Sequence, residues 1–244
     1  MPFPRLALPR LIASEEPFPP ISDEIPGDTV ALLTRELRPE RMVEGYRLGY
    51  FPWPPRVAGW MPWWSPDPRA VLFPEAFHLG RNMRRLLRRS RWTITHDRAF
   101  PAVLEGCAAP RPGREQTWLS DELKAGYLRL HQTGFAHSVE VWDGDRLVGG
   151  LFGVSVGAAF CGDSMFSEES EASKIALLYL CRQLAREPLA LIDCQLPSEH
   201  LERLGARLLP RREFLIRFAE AKAKPDPLAS PCLMPQPAPA LLSV

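Results

Sequence analysis

The chain has 244 residues, enough for one large domain or two small ones with a proper core. Its 30 Lys and Arg balance 29 Asp and Glu, and its 45% apolar content contains no run long enough to span a membrane. Five cysteines, an odd count without a Cys-x-x-Cys pair, argue against a disulfide framework or zinc site and for reduced thiols in a cytoplasm.

Residues 1 to about 27 are rich in proline and aperiodic, and they read as an extended arm. A basic stretch leading into an apolar core is missing, so a secretory signal is not expected. Residues 28–68 are read as a small N-terminal domain, with a helix that has Pro39 near its start and Gly49 just past its end. The prolines of Phe51-Pro52-Trp53-Pro54-Pro55 and Trp60 to Arg69 predict an ordered loop region there, with a domain boundary near Pro68.

Then come six arginines within eleven residues: Arg81, Arg84, Arg85, Arg88, Arg89 and Arg91. Helical spacing places Arg81, Arg84, Arg85 and Arg88 on one face and gathers Met83, Leu86 and Leu87 on the other. A solvated face is the bland alternative, but such faces interleave Glu with Arg, and no acid occurs in this run. A row of guanidiniums on a docked helix suits a polyanion, and RNA above all.

Residues 69–221 read more regularly. A strand over 92–95, a helix over 99–107 and a helix capped by Ser120 are followed by three strands over 136–142, 147–154 and 158–166. A helix over 172–185, a buried strand over 189–194, a short helix, a strand over 206–209 and a last helix complete an α+β order. Proline returns from residue 222, predicting a flexible tail.

Gly162-Asp163-Ser164 resembles a nucleophilic serine motif, but Met165-Phe166 stand where glycines would open an oxyanion hole. Asp163 lies among Phe160, Met165 and Phe166, and either pairs with a structural cation or faces a ligand amine. Asp193 and Gln195, two apart at a strand end, should point to one sheet face, where they could orient an amine; Asp193 could equally cap the next helix. Trp53 and Trp118 sit on loops, where aromatics stack a terminal base or sugar, although either could be core. The five histidines lack metal-ligand spacing, and no metal is expected.

An ordered series of segments carries a family resemblance. It runs through Phe51-Pro52-Trp53, Trp63-Trp64-Ser65-Pro66-Asp67-Pro68-Arg69, Glu105-Gly106-Cys107 and Thr117-Trp118. It continues through His137-Ser138-Val139-Glu140-Val141-Trp142, Val148-Gly149-Gly150, Phe160 to Ser167, Ala172-Ser173-Lys174 and Leu191-Ile192-Asp193-Cys194-Gln195. From about Leu37 to Arg212 the chain resembles the leucyl/phenylalanyl-tRNA–protein transferases.

The resemblance implies transfer of Leu or Phe, less well Met, from aminoacyl-tRNA to proteins with N-terminal Arg or Lys, marking them for N-end-rule degradation in the bacterial cytoplasm. It implies an acetyltransferase-like (GNAT) catalytic domain, a monomer, and no cofactor, since the aminoacyl ester is already activated. By position, Arg81, Arg85, Arg88 and Arg89 would meet the tRNA acceptor stem. Trp53 and Trp118, helped by Tyr46 and Tyr127, would hold the 3′ adenosine. Leu151, Phe160, Met165, Leu180 and Leu184 would line the amino-acid pocket. Asp193 and Gln195 would orient or deprotonate the amine, and Asp163 would hold an amino group. Asp163 departs from the family's usual glutamate, and Thr34-Arg35-Glu36-Leu37-Arg38-Pro39 from its Gly-Gly-Asp-Leu-Ser-Pro segment. A non-catalytic RNA-binding protein explains the arginines and tryptophans but not the polar residues at strand ends. An acetyl-CoA enzyme is disfavoured because Ser167-Glu168-Glu169-Ser170-Glu171 would repel a pyrophosphate.

Overall fold

Three long strands, β7 (Ala136–Asp143), β8 (Arg146–Val156) and β9 (Ala159–Ser167), form an antiparallel meander at the centre of the structure. Their tight connections use Gly144 and Gly157 at positive φ. The computed structural model describes residues 9–22, 25–27, 29–54, 56–110, 117–229 and 234–242; Cys232 and the first eight residues lie outside them. From Val148 to Val156 every residue of β8 is buried, because both sheet faces are covered. One face carries α3 (Phe100–Ala108) and α4 (Asp121–Gln132), the other α5 (Ala172–Leu184).

The meander extends to an eight-stranded sheet. On one side β6 (Thr93–His96) pairs with β7; on the other, β10 (Leu191–Gln195) runs parallel to β9. Next to β10 come β5 (Arg69–Leu72) and β11 (Arg207–Leu209), both antiparallel to their neighbours. The order of strands and helices is α+β, and the expected elements fall within one to three residues of their predicted ends. Ser120 caps α4 by accepting from the Leu123 N–H at 3.3 Å, with Asp121 and Glu122 in the first turn.

A second, four-stranded sheet has the order β1 (Arg10–Ile12), β2 (Val30–Thr34), β4 (Met61–Trp64), β3 (Phe51–Pro52). Beside it stands α1 (Pro39–Leu48), stopped by Gly49 at φ 91°. Two expectations fail here. The arm contributes a parallel strand, and the proline-rich loop contains strands β3 and β4. Pro62 is tolerated because a strand residue that cannot donate can still accept, and its carbonyl takes the Trp53 N–H at 3.1 Å. Trp63 is fully buried, its Nε1 donating to Thr34 Oγ1 at 2.9 Å.

The C-terminal segment also differs from the flexible tail its composition predicts. After α6 (Glu199–Arg203) and α7 (Arg211–Lys222), residues Gln236–Pro237 form β12 on the edge of β6, and 238–242 make a 3₁₀ turn. Ala238 and Leu241 are buried in the same cluster as Met83 and Leu87 of α2 (Arg81–Arg89), so the tail underlies the arginine helix. Apolar anchors outweigh the proline content. Leu241→Ala should therefore cost about 2–4 kcal/mol of unfolding free energy in guanidinium titrations. A change within 0.5 kcal/mol, the size of a surface substitution, would show that the tail does not pack there.

Candidate active site

The ladder between β9 and β10 runs from Leu191 opposite Ala159 to Asp193 opposite Cys161 and then stops. Beyond that point each strand carries an extra residue relative to its other neighbour. Asp163 lies between Gly162, opposite Gly153, and Ser164, opposite Phe152. Cys194 lies between Asp193, opposite Val71, and Gln195, opposite Ala70. Bulges bend their strands and re-aim side chains, so two of them where the pairing ends open a gap in the sheet. Gly153 permits the bend: a Cβ there would sit 2.2 Å from the Cys161 carbonyl and 2.6 Å from the Phe160 ring.

The gap is a cavity of about 440 Å³. Leu151, Phe160, Met165, Leu177, Leu180, Ile192 and Leu201 give it apolar walls, and Trp53 and Trp118 also line it. Trp53 is held edge-on to Trp64 at 5.4 Å, and Trp118 edge-on to Tyr127 at 6.3 Å. Polar groups converge from Asp163, Ser164, Gln195 and Ser198.

Asp163 is the electrostatic centre. Its Oδ1 accepts from Tyr46 OH at 2.7 Å and from Gln195 Nε2 at 2.9 Å. Tyr46 has one hydroxyl proton and gives it to Asp163, so Tyr127, 2.8 Å away, must donate to Tyr46. The other oxygen, Oδ2, is out of contact with solvent and has no hydrogen-bond partner. Burial pushes the Asp163 carboxyl up to about 7, against the lowering effect of its hydrogen bonds from Tyr46 and Gln195. Both tyrosines are held well above their usual range, by burial first and then by the Asp163 charge.

Asp193 is placed differently from the expectation. It does not line the cavity but lies fully buried behind it, where Arg69 grips it through two bonds, Nε to Oδ1 at 2.7 Å and Nη2 to Oδ2 at 2.6 Å. The Gln195 N–H donates to the same Oδ1 at 3.0 Å, which helps hold Gln195 at φ 65° and aims its side chain at Asp163. The i, i+2 rule fails because the bulge at Cys194 intervenes. Tyr46 and Tyr127 are likewise buried behind Asp163 instead of lining the cavity, and Leu184 is core one turn beyond Leu180. Asp163, Gln195, Trp53, Trp118, Leu151, Phe160, Met165 and Leu180 do come together.

On α2, Met83 and Leu87 are buried while Arg81, Arg85, Arg88 and Arg89 are exposed, without an acidic partner among the described residues. Arg81 shares a surface groove with Lys174 at the start of α5 and Arg203 at the end of α6. In that groove Lys174 pairs with Glu171 at 2.6 Å and Arg203 with Glu199 at 2.8 Å.

A family model described as leucyl/phenylalanyl-tRNA protein transferase matches residues 71–219, and one for that family's N-terminal domain matches residues 35–67. The chain belongs to the leucyl/phenylalanyl-tRNA–protein transferase family. Proteins of that name from Anaeromyxobacter sp. (strain Fw109-5) and Nitrosomonas europaea are 45% and 44% identical over 219 and 220 residues. Those alignments cover 89% and 88% of this chain and 91% and 92% of the relatives. The Pseudomonas fluorescens (strain SBW25) protein is 48% identical over 179 residues, 73% of this chain and 79% of its own.

Within this transferase, sequence reading missed Arg69, Leu177, Ile192 and Leu201. Leu177 could have been found, since it lies three residues before Leu180 on the same helix face. Arg69 closes the family-like segment Trp63 to Arg69, but nothing in the sequence gave its side chain a role, and it is 1% exposed.

Two measurements test this geometry. A carboxylate whose folded pKa is raised contributes stability below its unfolded value and loses it as pH rises towards the folded value. The melting temperature of Asp163→Asn minus that of the wild type should therefore increase from pH 4 to about pH 7 and level off above. A pH-independent difference would remove the buried-carboxyl account. Arg69→Met leaves Asp193 buried and unpaired, and should cost about 3–5 kcal/mol in denaturant unfolding, much of it recovered by adding Asp193→Leu.

Proposed function

We propose that this protein transfers Leu or Phe, and Met less well, from aminoacyl-tRNA to the α-amine of proteins with N-terminal Arg or Lys, marking them for N-end-rule degradation. The observation that carries this reading is Asp163, a buried carboxyl whose Oδ2 has no hydrogen-bond partner, in the wall of an apolar cavity flanked by two tryptophans. A buried acceptor of this kind calls for a cationic donor, and a substrate amino group is one. The apolar walls suit an unbranched or γ-branched side chain, and the tryptophans suit the 3′ adenosine of the tRNA.

In this reading the acceptor amine attacks the ester carbonyl, a tetrahedral intermediate forms, and the tRNA 3′ hydroxyl leaves. Asp163 holds the amino group and, with its carboxyl near 7, is matched to taking up its proton. Gln195 orients the amine through its side-chain amide. Asp193 is a positioning residue, acting through Gln195 and Arg69. Arg81, Arg85, Arg88 and Arg89 meet the acceptor-stem phosphates. The catalytic domain, residues 69–221, is acetyltransferase-like in its meander followed by a diverging parallel strand, and residues 28–68 form a small α/β domain. The protein acts as a cytoplasmic monomer.

Against the acetyl-CoA reading, backbone donors at the α5 N-terminus are already engaged. The Glu168 and Glu169 N–H groups donate to the Val148 carbonyl at 2.9 and 3.1 Å, and the Ser173 N–H to Ser167 Oγ at 2.9 Å.

Transfer of labelled Leu from tRNA onto an Arg-initiated protein tests the reading directly, and Asp163→Asn should remove most of it. Ala at each of Arg81, Arg85, Arg88 and Arg89 should weaken aminoacyl-tRNA binding and reduce the salt slope by about 0.7–0.9 per phosphate contact. Transfer from an aminoacyl-adenosine donor, which lacks the stem, should hardly change. Equal losses on both donors would make α2 structural only.

A further inference from the structure

A second cluster of chemistry-bearing side chains lies at the opposite edge of the meander, where β6 ends and β7 begins. His96 and Asp97 come from the end of β6 and His137 from the start of β7. One ligand atom from each lies within 4.8 Å of the other two. Asp226, in the segment after α7, faces the far side of His137.

The hydrogen bonding of this cluster is incomplete. His96 is 2% exposed, yet neither of its ring nitrogens has a hydrogen-bond partner. A buried imidazole with both nitrogens unpaired is uncommon and costly. Its Nε2 lies 3.4 Å from Asp97 Oδ2, too far and too poorly aligned for a hydrogen bond. That spacing is close to the edge of a coordination tetrahedron, about 3.3–3.4 Å for bonds of 2.0–2.1 Å. His137 Nδ1 is 2.6 Å from the same Asp97 oxygen, and its Nε2 is 3.6 Å from Asp226 Oδ2. Asp97 Oδ1 accepts the Ser138 N–H at 2.7 Å, which fixes the carboxylate plane. Asp97 is held at φ 56°, a strained conformation for a residue with a side chain.

We propose that His96 Nε2, Asp97 Oδ2 and His137 Nδ1 bind one divalent transition-metal ion of the zinc type, in a structural role separate from the transfer cavity. Two imidazoles and a carboxylate are a donor set that such ions favour over calcium or magnesium. Binding needs the His137–Asp97 gap to open by less than 1 Å, to about 3.3 Å, and the two imidazoles, whose ligand atoms lie within 4.8 Å of each other, to turn onto the same ion. Asp226 then takes the place of the outer carboxylate that orients a ligating histidine through its other nitrogen. Asp97 and Asp226, 24% and 17% exposed, mark the side on which the ion enters and where water completes the coordination. A dication would balance those two carboxylates with both imidazoles neutral.

The ion would tie the β6–β7 corner to the segment following α7. The test uses the full-length protein, stripped with a chelator and titrated with Zn²⁺ by calorimetry, with thermal unfolding in parallel. The expected result is one saturable equivalent per chain and a melting temperature raised by about 5–10 °C at a hundred times Kd. His96→Leu should lose that equivalent, and Asp226→Asn should weaken it by about 10–100-fold. Co²⁺ in place of Zn²⁺ should give visible absorption that His96→Leu abolishes. Should His96→Leu fail to fold, Asp226→Asn, a change at a partly exposed residue, decides alone. No saturable equivalent in the wild type, or one that persists undiminished in the folded variants, overturns the proposal.

Discussion

Arg69 and Asp193 meet at the place where β9 and β10 part, and both side chains are 1% exposed. Removing two charges from water is expensive, so such a pair survives only with near-ideal geometry and further compensation. Here the contact is bidentate, and the guanidinium also faces the rings of Phe51 and Phe214 at 4.9 and 4.7 Å. Those contacts join four pieces of chain: β5, β10, the first residue of β3 and the first turns of α7. One buried cation thereby helps fasten the four-stranded sheet to the eight-stranded one, across a hydrophobic cluster that the two share. The same carboxylate receives the Gln195 N–H and so fixes a residue at positive φ. The polar wall of the cavity thus inherits its position from an interaction that never touches the cavity.

Burial acts on the two carboxylates in opposite ways. Asp193 is saturated with donors, rigid and shielded. Asp163, on the neighbouring strand, has one oxygen saturated by Tyr46 and Gln195 and the other bare. A fully satisfied group stabilises a fold; a half-satisfied one is unfavourable until something binds. The tyrosine pair behind Asp163 makes the arrangement stiff, since each hydroxyl has its direction set by the next. An amino group arriving at Oδ2 would find the acceptor already aimed, with little reorganisation left to perform.

Much of this was legible in the chain. The three strands expected over 136–142, 147–154 and 158–166 located the meander. Pro39, Gly49 and Ser120 bounded helices, and the spacing of Met83, Leu86 and Leu87 docked the arginine face outward. Asp163 and Gln195 could be singled out because polar residues among Phe160, Met165 and Ile192 require a reason. The orientation of Asp193 could not be read. It depends on a bulge at Cys194, and a one-residue slip reverses which face a side chain meets. Tyr46 and Tyr127 could be paired with the site but not put in the right layer, since sequence does not reveal whether a phenol touches ligand or the group that does. Proline misled twice, at Pro62 and in the tail. Its missing N–H excludes one hydrogen bond, whereas the acceptor carbonyl of Pro62 and the apolar anchors Ala238 and Leu241 remained decisive.

The two edges of the large sheet are closed by very small means. At one end β11 has three residues and opens with Arg207; at the other, β12 has two and contains Pro237. Without the latter, β6 would present its free backbone donors and acceptors to any passing strand, the arrangement that lets β proteins stick edge to edge. A two-residue strand covers the Thr93 and Ile94 end of that row, and its proline has no N–H with which to recruit another chain. The segment that underlies the arginine helix therefore also guards the protein against self-association, and losing it would endanger solubility.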